Sequence, residues 1–266
     1  MIFVRILFAL ASIFIHEWAH VLVIRFLGGR VDKVGFFPLG MLAKARRLEY
    51  LNTWERYIIY AAGPLANLLI AMWAFLTSHM SYIGVVWLDE LAFVNLTLAL
   101  FNLLPALPLD GGRLALQFLG NSMGILRAGR IVLRIGWGMS IGLILLGIVQ
   151  VVLFPPNITL LCAGEFLRRK TRNFQPELQA EFHRAIEGKH TPQRARLLPT
   201  KKRNLLSNIT VKQAMEYLQF DSFMIFYVNA KKEYPLTEKT LLKYAFEGGM
   251  HISVGDILSN TCDTNL

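Results

Sequence analysis

The sequence predicts a polytopic α-helical membrane protein of about five spans with a small C-terminal α/β domain, and three observations carry that expectation. First, 54% of the 266 residues are hydrophobic and only 17% are charged, against roughly 25% charged in soluble globular domains, which argues against a single water-soluble fold. Second, long apolar runs alternate with loops whose basic residues fall on every other connection. Third, hydropathy drops after Arg203 and short helix and strand patterns begin. The net charge of +10 beside a mean hydropathy of +0.43 fits basic loops gathered on one side of a bilayer. Cys162 and Cys262 are the only cysteines, too few and too far apart for a disulfide framework or a cysteine zinc site. A metal here must use His, Asp or Glu.

The first span is Ile2 to Phe26, long enough at about 1.5 Å per residue to cross a hydrocarbon core of about 30 Å. A signal peptide would have an apolar region of only about 7–15 residues followed by small residues at a cleavage site, and the run here continues to Phe26 without one. Tyr57 to Leu76 reads as the second span, Leu91 to Leu107 as the third and Ile131 to Leu153 as the fourth. Ile158 to Leu167, after the helix-breaking Pro155-Pro156, is a short fifth or a re-entrant segment. Between the first two spans, Phe36-Phe37-Pro38-Leu39-Gly40-Met41 is too short to cross and too apolar for an ordinary loop, and an edge strand that pairs with an extended substrate suits it.

Loop charge sets the direction. Gly28 to Arg56 carries Arg30, Lys33, Lys44, Arg46, Arg47 and Arg56, whereas Thr77 to Glu90 has no Lys or Arg. Leu109 to Arg130 is basic again through Arg113, Arg127 and Arg130, and Arg168 to Arg203 holds 11 Lys or Arg against Glu177, Glu181 and Glu187. Basic loops face the cytoplasm, so the chain is expected to start outside, cross five times and leave its C-terminal part in the cytoplasm. Residues 1–168 form the membrane domain on this reading, 169–203, with Pro176, Pro192 and Pro199, a basic linker with some helix, and 204–266 the soluble domain. In that domain Thr210 can cap a helix whose apolar positions are Val211, Ala214, Met215 and Leu218. Phe223 to Val228 reads as a strand, 229–232 as a polar turn, and Thr237 to Phe246 as a helix ending at Gly248-Gly249.

The chemistry lies inside the spans. His16-Glu17-Trp18-Ala19-His20 places two imidazoles one helical turn apart on one face, spaced to share a metal ion, with a carboxylate beside them. Zn²⁺ suits two imidazoles and a carboxylate, and Glu17 is placed to move the proton of a water. Ionisable residues in an apolar span cost several kcal/mol together and are functional by default. The structural alternative is a pair of core histidines satisfied by neighbouring helices and Glu17. Asp110 is a candidate third ligand. Counted at about 1.5 Å per residue from Ile2 and Leu91, His20 and Asp110 lie about 27 and 28 Å deep. The alternative for Asp110, between Pro108 and Gly111-Gly112, is an exit turn or a cap for the helix that follows. Asn67 and Asn102 are amides in apolar surroundings that need partners.

Three motifs in order, His16-Glu17-Trp18-Ala19-His20, Gly63-Pro64-Leu65-Ala66-Asn67 and Asn102-Leu-Leu-Pro105 running to Leu109-Asp110-Gly111, resemble those of the site-2 proteases, intramembrane zinc metalloproteases. The resemblance covers about the first 170 residues. It implies that His16, His20 and Asp110 ligate Zn²⁺, that Glu17 is the catalytic acid and base, and that Asn102, Pro105 and Asn67 support the active site or the substrate. Leu107 departs from the pattern, standing where many members have a proline. Members also begin with one more span before the His-Glu helix, which here opens the chain. The tail resembles a single cystathionine-β-synthase (CBS) motif, the layout of a sporulation subfamily. That layout implies cleavage of a membrane-associated sigma-factor (sigma-K) precursor, inhibitory membrane partners, and an adenine nucleotide such as ATP bound at CBS motifs paired in a homo-oligomer. It also implies the outer forespore membrane, with the tail on the mother-cell side, and no direct nucleic-acid partner. A CBS-regulated metal transporter or sensor is the alternative, against which a general base next to two ligands counts.

Overall fold

The protein is described by a computed structural model over residues 2–37, 40–46, 52–80, 86–153, 158–189, 198–228, 235–247 and 249–257. Pro155-Pro156, the turn at 229–232, Pro192 and Gly248 lie outside the described residues. Two compact units emerge, one of Met1–Ala115 with Val132–Pro176, the other of Leu116–Ile131 with Glu177–Leu266.

In the first unit α1 runs Ile2–Phe26, the span expected, and stops where Gly28 takes φ +78 and Gly29 donates to the Ile24 carbonyl at 2.8 Å. Positive φ is cheap only for glycine, so Gly28 closes the helix. An antiparallel hairpin follows, β1 (Arg30–Phe37) and β2 (Gly40–Arg46), paired from Arg30↔Arg46 to Phe37↔Gly40 with a register shift between Val31 and Lys33. Phe36-Phe37 and Gly40-Met41 of the apolar segment are therefore strand, and Pro38 and Leu39 lie outside the described residues. Helix α2 (Thr53–Met80) begins with the Glu55 carboxylate accepting from the Asn52 N–H at 2.6 Å and contains Pro64. Helix α3 is Val86–Asn102. Arg5 binds both oxygens of Glu90 at 2.5 and 2.6 Å, tying the first turns of α1 and α3 together. The two helices therefore run the same way and α2 returns between them.

Helices α4 (Asp110–Met123), α5 (Ile125–Leu153) and α6 (Thr159–Asn173) complete the membrane half. Among the described residues, three helices, Val4–Phe26, Thr53–Met80 and Ile125–Leu153, are long and apolar enough to cross a membrane. Large apolar side chains such as Leu7, Leu10, Leu22, Leu69 and Trp73 remain exposed on them, as lipid-facing positions would be. Where the third and fifth spans were expected, α3 has 17 residues and α6 has 15. At about 1.5 Å per residue both fall short of about 30 Å, so helix length supports three crossings and does not carry a count of five. Helix α4 is a correction of another kind, since its residues read as a basic loop.

In the second unit strands β3 (Thr200–Leu205), β4 (Phe223–Val228) and β5 (Leu236–Thr237) form one sheet in that order, β3 parallel and β5 antiparallel to β4. Helix α8 (Val211–Met215) carries a complete capping box between Thr210 and Gln213, and α9 (Glu238–Phe246) is capped by Thr237. Val211, Ala214, Met215, Leu218, Phe226, Leu241, Val254 and Ile257 make the core. Of the stretch expected to be a linker with some helix, α7 spans Gln175–Lys189, residues 190–197 lie outside the described residues, and β3 begins at Thr200. Lys189 is fully buried, bonded to Glu238 Oε1 at 2.9 Å and to the Ser222 carbonyl at 3.0 Å. Helix α5 begins six residues before the expected Ile131, and its first basic residues, Arg127 and Arg130, pair with Glu216 at 3.0 and 2.8 Å while staying partly exposed.

Candidate metal centre

His16 and His20 stand on the face of α1 that α2 covers, and α2 makes room for them. A Cβ built on Gly63 would collide with Nε2 of both imidazoles, so the small residue of Gly63-Pro64 is what lets the helix backbone close over the pair. Four residues earlier on α2, the Ile59 carbonyl accepts from His20 Nδ1 at 2.7 Å. That bond orients the ring with Nε2 turned inward.

Asp110 arrives from 94 residues away in sequence. Helix α3 ends at Asn102, the chain turns through residues 103–109, and α4 starts on Asp110 itself. The turn is held by Ala106 donating to the Leu104 carbonyl at 2.7 Å and Leu109 to the Ala106 carbonyl at 2.9 Å. Thr171 of α6 donates to the Leu107 carbonyl at 2.8 Å, and Ala106, Leu109 and Leu167 form a buried cluster behind it. Any Cβ on Gly111 or Gly112 would strike the backbone of this turn, so both glycines are needed for α4 to start so close to it.

The result is a triangle. His16 Nε2 lies 3.0 Å and His20 Nε2 3.2 Å from Asp110 Oδ2, and the two nitrogens are 3.3 Å apart. Zn–N bonds of about 2.0–2.1 Å and Zn–O bonds of about 2.0–2.2 Å in tetrahedral geometry put ligand atoms about 3.3 Å apart. The three side chains are only 6%, 12% and 15% exposed, and they are the group of His, Cys, Asp and Glu able to hold a metal among the described residues. Two imidazole nitrogens and a carboxylate oxygen converging on one point fit Zn²⁺ and leave a fourth position open. Glu17 follows His16 directly and is partly buried.

The supporting residues divide. Asn67 is fully buried on α2, one turn beyond Gly63. Asn102 spends its amide N–H on the Leu98 carbonyl of its own helix at 3.0 Å, and Pro105 is exposed in the turn, so neither joins the triangle. Two contributors were not legible in the sequence. The Ile59 carbonyl has no side-chain signature, and Gly63 stands in its motif with no sign in the sequence of what it packs against.

A profile of peptidase family M50 matches residues 4–92 and 85–144, together just over half of the chain and including all three ligand candidates. The chain belongs to peptidase family M50. Among its M50-type relatives, zinc metalloprotease MJ0392 of Methanocaldococcus jannaschii is 30% identical over 171 residues, covering 62% of this chain and 48% of that protein. Stage IV sporulation protein FB of Bacillus subtilis is 27% identical over 125 residues, covering 47% and 43%. The solved site-2 protease from Methanocaldococcus jannaschii superposes with a TM-score of 0.52 at 27% identity, over 64% of this chain and 76% of that one, so this M50 chain has a site-2-protease-like fold. It spans about half the length of the curated relatives it matches.

Proposed function

We propose that this M50 chain is an intramembrane zinc metalloendopeptidase that hydrolyses a peptide bond of a membrane-associated protein. The observation that carries the reading is the closed triangle of His16 Nε2, His20 Nε2 and Asp110 Oδ2 within 3.0–3.3 Å on an apolar helix, beside a carboxylate that is not part of it. His16, His20 and Asp110 hold the metal, whose Lewis acidity activates water and the scissile carbonyl. Glu17 takes the proton from the attacking water and delivers it to the departing amine, so one carboxylate serves as base and then acid. The apolar walls of α1 and α2 exclude bulk water. Membership of a peptidase family favours hydrolysis over metal transport. Co-expression with a membrane-tethered substrate, comparing the native chain with Glu17→Gln, tests the reading: a shortened product should form with the first and not with the second.

The finer assignments are part of the same proposal. Likeness to stage IV sporulation protein FB supports a sigma-K-type precursor as substrate, inhibitory membrane partners, and the outer forespore membrane as location. The alternating loop charge supports a cytoplasmic tail, which with α3 and α6 as short crossings gives five. The β3-α8-β4-β5-α9 order supports a single CBS-like motif, which would pair between two copies of the chain and take an adenine nucleotide between them.

A further inference from the structure

Helices α1 and α2 meet in steps of four. His20 bonds to the carbonyl of Ile59, and the bare backbone of Gly63 lies against both imidazoles. Continuing outward, the next turn of α2 brings Asn67, about 6 Å beyond Gly63, and the next turn of α1 brings Ser12, which is 1% exposed. His16 sits between these levels. Its Nδ1 is buried without a hydrogen-bond partner, and so are both Oδ1 and Nδ2 of Asn67, a residue with no exposed surface at all.

A histidine that gives Nε2 to a metal carries its remaining proton on Nδ1, and such a ligand almost always donates that N–H to an acceptor that fixes tautomer and ring angle. His20 has its acceptor in Ile59. His16 has none, although a buried polar group left unpaired costs about 1–3 kcal/mol. The orphaned atoms of His16, Asn67 and Asn95 are two donors and two acceptors. On the donor side are the Nδ1–H of His16 and the amide Nδ2 of Asn67, and on the acceptor side are Asn67 Oδ1 and Asn95 Oδ1, also fully buried and unpartnered. Asn95 belongs to α3, and its neighbour Leu96 lines one cavity together with Leu68, the neighbour of Asn67. The two amides therefore stand at one level of the bundle.

We propose that Asn67 is the positioning residue of His16: its Oδ1 accepts the Nδ1–H and its Nδ2 is held by Asn95 Oδ1, each across one buried water. The Gly63-Pro64-Leu65-Ala66-Asn67 segment then does two things four residues apart. Gly63 admits the two rings, and Asn67 sets the orientation of one of them. The inference rests on the zinc-protease reading above.

The test uses the full chain purified in detergent, with zinc affinity measured by chelator competition and ¹⁵N-histidine NMR of the zinc-loaded protein. Asn67→Leu should weaken zinc about 10–100-fold and alter the His16 ring signals. Asn67→Asp, which keeps an acceptor oxygen, should return affinity to the native range. A purely packing role would instead lower the melting temperature of the zinc-free protein and weaken zinc equally in both variants, and that result overturns the proposal, as does native zinc affinity in Asn67→Leu. Should Asn67→Leu fail to fold, the NMR of the native chain decides: a hydrogen-bonded Nδ1–H on His16 supports the assignment, and a His16 protonated on Nε2 overturns it. A native chain that binds no zinc overturns the protease reading and this inference together, whereas native zinc binding with an unaffected Asn67→Leu overturns this inference alone.

Discussion

His16 and Glu17 are chain neighbours to which the proposed mechanism gives different tasks, and substitution separates them. Glu17→Gln should lower cleavage by at least the about 10²–10⁴-fold contributed by a positioned proton-transfer group while the purified protein keeps one equivalent of zinc. His16→Ala, His20→Ala or Asp110→Ala should lose both, as metal analysis beside a cleavage assay would report. Full zinc and activity in Asp110→Ala would remove the third ligand from the scheme. Gly63→Ala is the subtler change. The added methyl meets the Nε2 atoms of both imidazoles, and displacing the rings by about 1 Å is expected to cost about 10²-fold in activity, with zinc affinity falling alongside. Native zinc affinity in Gly63→Ala would mean that the helices part without disturbing the ligands.

At the scale of elements, α7 and α9 are joined by an ion pair with almost no exposure, Lys189 at 0% and Glu238 at 2%, and Glu238 also accepts from the Met224 N–H of β4 at 3.2 Å. Removing one charge leaves the other buried and unpaired, so Lys189→Met should destabilise the tail by about 3–5 kcal/mol. The double change Lys189→Met with Glu238→Leu should recover most of that, since two apolar groups leave no stranded charge. Denaturant unfolding of the full chain, followed by a probe in the tail, checks both. Strand Phe223–Val228 and the Thr210 cap were readable because each is local, a run of β-branched and aromatic residues and a hydroxyl before an apolar face. The burial of Lys189 within 169–203 was not. Its lysines and arginines look solvated in a string, and only the fold shows that Lys189 is enclosed by residues more than 30 positions away.

For the whole molecule, the proposed cytoplasmic tail predicts that a C-terminal reporter active only outside should stay silent in cells, and an active one would reverse the orientation. The compact unit that contains the tail also contains Leu116–Ile131. Deletion should therefore remove 177–266 together rather than cut inside β3. The truncated chain is expected to keep zinc, because all three ligands lie outside that unit, and to lose most cleavage of a substrate presented from the cytoplasm. Unchanged cleavage, with or without ATP, would reduce the tail to a passive extension.

The sequence by itself determined the apolar first span, the two-histidine face with its adjacent glutamate, the family resemblance and the strand and caps of the tail. Each is written in the spacing of residues within a single segment, where helix and strand periods do the reading. The tertiary structure alone decided that the three ligand atoms meet within 3.0–3.3 Å and that Gly63 and the Ile59 carbonyl back the rings. It alone shows which polar atoms are buried without partners. These features join positions 39 to 94 residues apart, and no local periodicity encodes which distant backbone will pass within hydrogen-bond reach of a given ring.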